Sequence, residues 1–244
     1  SRQAGILLEG ALLVLVLTTA ATAIAVGDRL VTGVGLWSTT VLVLVIAALY
    51  LIKRYEGNPQ WEPAAAEPEA EEDKQRAAEK RREKMSSVST RAVVLRMVLA
   101  SLAVLAGGYT IAQAGEQIAD QTGIGGSFVG AILMPVATSL PELSTTLAAV
   151  RIGAPVMAIS NIFGTNLFDA ALLFTIDATY SGPPVLNEVG RFAQVGALLG
   201  VACTTIYLIG ILKRRRRTFL RLGLDSIMVV LVYGAGVVLL YVIR

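Results

Sequence analysis

Seven long apolar segments run through this sequence, and they limit its fold more than any other feature. They comprise residues 5–26, 34–52, 93–115, 125–150, 154–177, 189–212 and 219–243. Each holds about twenty residues, the length at which an α-helix crosses roughly 30 Å of hydrocarbon. Because a helix satisfies its own backbone hydrogen bonds in lipid, we predict an all-α membrane protein, a polytopic bundle of about seven transmembrane helices.

The composition excludes a soluble domain and narrows the chemistry of any site. Hydrophobic residues make up 55% of the chain and charged residues 16%. The sequence has no histidine, which excludes imidazole metal ligands and histidine proton relays. Its one cysteine, Cys203, cannot form a disulfide within the chain. A metal site would therefore be built from oxygen ligands.

Lysine and arginine are distributed unevenly between the two sides that seven alternating spans define. One side carries Arg2, Lys53, Arg54, Arg91, Arg96, Arg151, 213–217, Arg221 and the basic residues of 56–89, whereas the other carries Arg29, Arg191 and Arg244. The positive-inside rule then places the N-terminus in the cytoplasm and the C-terminus outside. The net charge of +3 thus reflects topology, and no nucleic acid partner is expected.

Residues 55–91 form a charged segment between the second and third spans, which we predict to be a cytoplasmic linker. Its acidic residues could sense a cation, but they lack the spacing of an EF-hand loop, which favours a solvated tether. The basic cluster 213–217 has two interpretations as well. It fits a topology signal, and anionic lipid head groups are the alternative ligand.

The first and last pairs of spans repeat one plan in opposite directions, which is typical of transporters with inverted repeats. The later pair follows a block with polar clusters, residues 93–177, whereas nothing precedes the earlier pair, and the chain begins with Ser1. We therefore expect that about three spans of a first half are absent. Residues 1–54 would be the end of that half, and residues 92–244 a five-helix second half.

Two prolines are predicted to break the fourth span. Proline has no N–H, so Pro141 leaves the carbonyl of Ala137 without its helical donor, and Pro135 does the same for Ala131. Free carbonyls at membrane depth are tolerated where they are buried or line a cavity. A proline kink beside a hydroxyl is also common helix architecture, so a purely structural role stays open.

Oxygen-bearing side chains gather beside this break. Thr138, Ser139 and Glu142 stand at positions i, i+1 and i+4 and can lie on one side of it. A carboxylate in hydrocarbon costs at least about 2.5 to 3.5 kcal/mol, so it needs a compensating partner. These side chains and the carbonyl of Ala137 would form a set of cation ligands.

The fifth span carries a second polar cluster. Thr165 and Asp169 share a helix face, and Gly164 is expected to be a weak point of the helix. Asn161 and Asn166 would hold the distorted backbone by hydrogen bonds. Ligation by oxygen alone suits hard cations such as Na⁺ or Ca²⁺, so we predict a cation site near the membrane midplane.

Other notable residues have simpler interpretations. Gly125, Gly126, Gly130, Gly153, Gly196 and Gly200 favour helix packing. Glu116 and Asp120 fit a solvated boundary, with attraction of cations to an entrance as the alternative. Glu9 and Asp225 lie near the ends of their spans, where partial hydration lowers their cost, so no direct role is predicted for them.

Two motifs resemble the sodium/calcium exchanger family of the cation/calcium antiporter superfamily. They are GAILMPVATSLPELSTT at 130–146 and SNIFGTNLFD at 160–169, and they look like the second of the family's two α-repeats, here within 125–177. The resemblance implies a ten-helix inverted-repeat fold, of which this chain carries seven helices. It also implies the cation ligands Ala137 (carbonyl), Thr138, Ser139, Glu142, Thr165 and Asp169, with Pro141, Asn161, Gly164 and Asn166 in support. Thr165 stands where many members have serine, and it keeps the hydroxyl.

The function implied by the resemblance is secondary antiport of Na⁺ and Ca²⁺ by alternating access in the plasma membrane. Such a protein is not an enzyme and needs no cofactor, because Na⁺ and Ca²⁺ are its transported ligands. Exchange coupled to H⁺ or K⁺ is an alternative. Because Ca²⁺ takes six to eight oxygen ligands, a non-transporting fragment or split subunit that needs a partner with the first α-repeat is another.

Overall fold

The computed structural model of the chain describes residues 2–31, 33–57, 89–212, 218–219 and 222–243. The predicted linker 55–91 falls mainly on 58–88, which lies outside the described residues, as does the basic cluster 213–217. The elements in chain order are α1 (Arg2–Val26), β1 (Leu30–Val31), β2 (Val34–Gly35), α2 (Leu36–Gly57), α3 (Thr90–Thr122), α4 (Gly126–Phe128), a π-helix (Val129–Leu133), α5 (Met134–Thr138), α6 (Leu140–Arg151), α7 (Pro155–Thr179), α8 (Val185–Glu188), α9 (Gly190–Leu212), β3 (Thr218–Phe219), β4 (Leu222–Gly223) and α10 (Leu224–Ile243).

The predicted all-α membrane bundle is confirmed. Six described helices, α1, α2, α3, α7, α9 and α10, are long and apolar enough to cross a membrane. Their bounds lie within a few residues of the apolar segments read from the sequence, apart from a longer α3. The remaining predicted span, 125–150, is a series of short helices, because its backbone hydrogen bonds are interrupted twice.

Both interruptions follow from the prolines, as predicted. The π-helix precedes Pro135, and the N–H of Met134 donates to the carbonyl of Val129, five residues earlier. The second break comes at Ser139, a turn residue with φ −88° and ψ 5° between α5 and α6. Pro141 stands in the first turn of α6, where its missing N–H leaves no helical donor for the carbonyl of Ala137.

Gly164, expected to be a weak point, does not interrupt the next helix. Helix α7 is continuous from Pro155 to Thr179. One glycine costs a helix about 1 kcal/mol relative to alanine, and α7 offsets this by burying Phe163 and Leu167 in the core. A Cβ on Gly164 would meet no atom within 4 Å, so this residue does not bring two backbones together either.

Of the six glycines predicted to serve helix packing, only Gly200 has a close neighbour. A Cβ on Gly200 would lie 3.3 Å from Leu17, so this glycine does pack against α1. At Gly125, Gly126, Gly130, Gly153 and Gly196 a Cβ would meet nothing within 4 Å. Gly125 and Gly153 have φ of 90° and 75°, so turn conformation explains glycine at these two positions.

The two helical pairs that repeat in the sequence also share a local structure. Each pair is joined by a short antiparallel hairpin, and the strands pair in the same register, Leu30↔Gly35 with Val31↔Val34 and Thr218↔Gly223 with Phe219↔Leu222. Helix α1 packs antiparallel to α9, since Gly10 lies against Leu208 and Leu17 against Gly200. The hairpins therefore lie at opposite ends of the bundle.

The apolar core lies where α1, α2 and α7 meet, with α9 packed beside them. Its buried side chains include Leu13, Val16, Val41, Val45, Phe163 and Leu167. The ring of Tyr207 on α9 meets Phe163 edge-on, with ring centroids 6.1 Å apart. Asp169 is exposed, whereas Leu167 and Ala170 are buried, so α7 turns its predicted ligand away from the core.

We expect Gly10→Val to destabilise the bundle by about 1–3 kcal/mol, because added methyl groups overfill a packed interface. A Cβ on Gly10 would lie 2.5 Å from Leu208 Cδ2. Thermal unfolding of the detergent-purified protein measures the effect. Gly107→Val on α3 is the matched control, since a Cβ there meets nothing within 4 Å. Equal unfolding temperatures for the two variants would contradict this packing.

Candidate functional site

A cavity of about 350 Å³ opens between the broken helices α5–α6 and the continuous helix α7. Its lining residues are Thr138, Ser139, Glu142, Leu143, Thr146, Ile162, Thr165, Asn166 and Asp169. Of the six predicted ligands, all but Ala137 are among them, although they come from two segments separated by a turn. The supporting residue Asn166 also lines the cavity, whereas Pro141, Asn161 and Gly164 do not.

The break between α5 and α6 positions the first group of predicted ligands. Helix α5 ends at Thr138, Ser139 is the turn residue, and Glu142 lies in the first turn of α6. The helix N-terminus favours a negative charge at this position. On the other wall, Thr165 and Asp169 are one turn apart on α7 and project on the same side.

Glu142 lacks a hydrogen-bond partner for one carboxylate oxygen. Its side chain is half-buried, and Oε2 is buried with no hydrogen-bond partner. An unsatisfied buried carboxylate oxygen is costly, and the like charge of Asp169 lies in the same cavity. A cation bound between the two carboxylates would offset both costs.

The two threonine hydroxyls in the cavity wall each donate their proton within their own helix. Thr138 Oγ1 donates to the carbonyl of Met134 at 3.1 Å, and Thr165 Oγ1 donates to that of Asn161 at 2.9 Å. A hydroxyl has one proton and two lone pairs. Since each proton is used within its own helix, the lone pairs stay available to a cation in the cavity.

The two asparagines play different structural parts from the one expected. Asn161 Nδ2 donates to Thr145 Oγ1 at 3.1 Å and so joins α7 to α6 next to the cavity. Asn166 Nδ2 donates to the carbonyl of Ile162 at 2.8 Å within the unbroken α7. The hydrogen bond between Asn161 and Thr145 helps to fix the distance between the two walls.

Of two further polar residues near the cavity, Thr146 was not singled out from the sequence, and Glu9 was assigned no direct role. Thr146 lines the cavity, and its Oγ1 is buried without a hydrogen-bond partner. It stands one turn after Glu142 on the same helix face, and this spacing could have identified it from the sequence. Glu9 on α1 is 6% exposed and accepts a hydrogen bond from Ser160 Oγ at 3.0 Å. It does not line the cavity, but it holds α7 just before the residues that do.

A second cavity, of about 550 Å³, lies beside Glu116 and Asp120. The glycines 123, 125, 126 and 130 also line it. Both acidic side chains are exposed. Their place in this cavity is compatible with either a solvated boundary or a cation entrance.

The candidate site is incomplete for a divalent cation within the described chain. No group of three or more acidic or cysteine side chains is found there in an arrangement that could hold a metal ion. Thr138, Ser139 and Asp169 are exposed, so the cavity is open on one side. Two carboxylates and a few hydroxyls would leave a Ca²⁺ ion short of the six to eight oxygen ligands that it takes.

Comparison with known proteins gives one family and several relatives. The family described as sodium/calcium exchanger protein matches residues 92–242. A sodium/calcium exchanger of Methanosarcina acetivorans is 25% identical over 143 residues, which cover 57% of this chain and 41% of that protein. Sodium/potassium/calcium exchanger 2 of Mus musculus is 29% identical over 112 residues, 43% of this chain and 17% of that protein.

The matches therefore cover less than half the length of these relatives. No solved structure matches the chain at a significant level.

Proposed function

The chain belongs to the sodium/calcium exchanger protein family. We therefore propose that it is part of a secondary antiporter that exchanges Na⁺ for Ca²⁺ by alternating access. It is an integral membrane protein of a transporter family. The exchange would take place in the cavity between α5–α6 and α7, where the two ions compete for the same oxygen ligands.

One observation carries this proposal: the buried Oε2 of Glu142 without a hydrogen-bond partner, in a cavity that Asp169 shares. Hard cations are the ligands that oxygen groups of this kind bind. Na⁺ and Ca²⁺ are similar in their preference for oxygen, and they differ in charge. A site with two carboxylates can release one Ca²⁺ as Na⁺ ions enter, which is the requirement for exchange.

Uptake of radiolabelled Ca²⁺ by membrane vesicles that contain the complete exchanger tests the function. Vesicles loaded with Na⁺ and diluted into Na⁺-free medium should accumulate Ca²⁺, and collapsing the Na⁺ gradient should stop the uptake. A pH gradient in place of the Na⁺ gradient tests coupling to H⁺. Uptake that follows the pH gradient and ignores Na⁺ would contradict Na⁺ coupling.

A second set of ligands has to close the open side of the cavity. The exposed carboxylate of Asp169 would be costly against lipid. Helix α3 is also largely uncovered, since its described side chains are exposed except at Ala92, Ile111, Gly115 and Ala119. We propose that a first α-repeat, from the same longer protein or from a partner chain, covers these surfaces and supplies the remaining ligands.

Reconstituting the purified 244-residue chain by itself tests this requirement. We expect no Na⁺-driven Ca²⁺ uptake from the chain alone, since the ligand set is half complete. Uptake should appear when the segment with the first α-repeat is present. Exchange by the chain alone, at the rate of the complete exchanger, would overturn the proposal.

Dependence on K⁺ is a second candidate, favoured by the two relatives named sodium/potassium/calcium exchanger 2. Adding K⁺ on the Ca²⁺ side of the vesicles discriminates between the two modes. A rate that rises with K⁺ while the Na⁺ gradient is held constant would favour it. A rate that ignores K⁺ leaves plain Na⁺/Ca²⁺ exchange.

We also propose the plasma membrane as the location, with the N-terminus and linker in the cytoplasm. The distribution of lysine and arginine supports this orientation. The loop at Asp28 is hydrogen-bonded to Asn187. Four spans separate these two loops in the chain, and an even number of crossings returns the chain to the same side of the membrane. Accessibility of a cysteine introduced at Arg29, tested in intact cells, measures which side this end faces.

A further inference from the structure

Two buried carboxylates lie together at the end of the bundle where α1 and α7 finish. Asp28 follows the end of α1, and its side chain is 7% exposed. Asp177 lies in the last turn of α7 and is 3% exposed. It follows Asp169 by eight residues, or about 12 Å along the helix. Neither aspartate lines the cavity of Glu142 and Asp169.

Backbone N–H groups hold both side chains in place. Asp177 accepts from Gly35 at 2.6 Å through Oδ2 and from Val185 at 2.7 Å through Oδ1. Asp28 accepts from Arg29 at 2.8 Å and from Trp37 at 2.9 Å, in both cases through Oδ1. These donors carry no net charge, so they leave the two negative charges uncompensated.

The remaining oxygen of Asp28 lacks any partner. Asp28 Oδ2 is buried and receives no hydrogen bond. A Cβ on Gly35 would lie 2.7 Å from Asp177 Oδ2 and closer still to Asp28 Oδ2. The unpartnered oxygen therefore points at the same small space as Asp177, a space that exists because residue 35 is glycine.

The backbone around Asp28 is fixed independently of its carboxylate. Its N–H donates to Asn187 Oδ1 at 2.6 Å, and Asn187 Nδ2 donates back to its carbonyl at 2.9 Å. This pair of bonds ties the loop after α1 to α8. These two bonds set the backbone position of Asp28, whereas its carboxylate is held by the N–H groups of Arg29 and Trp37.

We propose that Asp28 and Asp177 bind a divalent hard cation such as Ca²⁺, at a site separate from the transport cavity. The two carboxylates are ligands that Ca²⁺ prefers, but, as in the transport cavity, they do not complete its coordination, so water molecules would have to supply the remaining oxygens. The bound ion links α7, which carries Thr165 and Asp169, to the loop between α1 and α2. Its occupancy would stabilise this junction without itself being transported.

Terbium luminescence tests the site directly, with Tb³⁺ as the probe for Ca²⁺. Trp37 is the neighbouring sensitiser, because its backbone N–H donates to Asp28 Oδ1 at 2.9 Å. The experiment uses the purified chain carrying Glu142→Gln and Asp169→Asn, so that the transport cavity makes no contribution. We expect Tb³⁺ emission on tryptophan excitation, displaced by Ca²⁺. The same protein also carries Trp61→Phe, so that Trp37 is its one tryptophan, and Trp37→Phe should then abolish the emission.

Asp28→Asn is the decisive variant. Asparagine keeps an oxygen for the N–H groups of Arg29 and Trp37, and its amide can donate to Asp177, so the variant should fold. We expect it to weaken Tb³⁺ binding at least about tenfold, because carboxylate charge sets Ca²⁺ affinity. We expect Ca²⁺ to raise the unfolding temperature of the parent chain and to leave that of Asp28→Asn unchanged.

Three results would overturn the proposal. The first is unchanged Tb³⁺ affinity in Asp28→Asn. The second is an unfolding temperature that rises with Ca²⁺ equally in both proteins. The third is an unfolding temperature of the parent chain that changes with pH but not with Ca²⁺ concentration. This result would indicate a proton shared by the two carboxylates instead of a metal ion. Since the background lacks both transport carboxylates, these results are independent of the proposed exchange.

Discussion

Glu142→Gln is expected to reduce Na⁺-driven Ca²⁺ uptake at least about 100-fold. Glutamine has the size of glutamate, so the cavity keeps its shape and loses one charge. Attraction between opposite unit charges at 4 Å is about 4 kcal/mol in protein surroundings, or roughly three powers of ten in affinity. Glutamine costs less to desolvate than a carboxylate, which offsets part of this loss. The initial rate of radiolabelled Ca²⁺ uptake into vesicles that contain the complete exchanger measures the loss.

Glu188→Gln is the matched control for this experiment. Glu188 is exposed at the end of α8 and does not line the cavity, so the same chemical change should leave uptake within about twofold of the parent. Asp169→Asn should behave like Glu142→Gln, since the two carboxylates share the cavity. Uptake that persists at the parent rate in both variants would refute the ligand assignment.

Pro141→Ala is expected to move stability and transport in opposite directions. Alanine restores an N–H that can donate to the carbonyl of Ala137, which allows α5 and α6 to join across Ser139. A regular helix through this point would raise the unfolding temperature. It would also turn Thr138 and Ser139 away from the cavity and engage the carbonyl of Ala137 in a helical hydrogen bond, so we expect uptake to fall at least about tenfold.

Pro155→Ala serves as the control, because Pro155 begins α7 and interrupts no helical hydrogen bond. We expect it to change neither uptake nor unfolding temperature by a measurable amount. Vesicle uptake and thermal unfolding in detergent provide the two measurements. Full transport by Pro141→Ala would show that transport does not need the break. A lower unfolding temperature would show that the break does not cost the protein stability.

The elements that could be predicted are those set by local covalent chemistry and by lipid. Apolar length located the long helices, since each must cross the same hydrocarbon thickness. The break between α5 and α6 followed from the missing N–H of Pro141. The four side chains Thr138, Glu142, Thr165 and Asp169 followed from helical spacing beside that break and from oxygen chemistry.

The elements that could not be predicted depend on what packs around each residue. Gly164 was expected to weaken α7, but burial of Phe163 and Leu167 keeps this helix continuous. Thr146 lies one turn after Glu142, but this spacing indicates a place in the cavity wall only once α7 is known to pack opposite it. Glu9 was assigned to a hydrated boundary, whereas the fold buries it against Ser160.

The sequence by itself determined a helical membrane protein with a proline break and two clusters of oxygen-bearing side chains, because these depend on a residue and its near neighbours. Tertiary structure alone decided that those side chains share one open cavity and that Asp28 meets Asp177 across Gly35. Such contacts join residues far apart in the chain. They arise from the way in which α1, α2, α7 and α9 pack, and no local pattern records that packing.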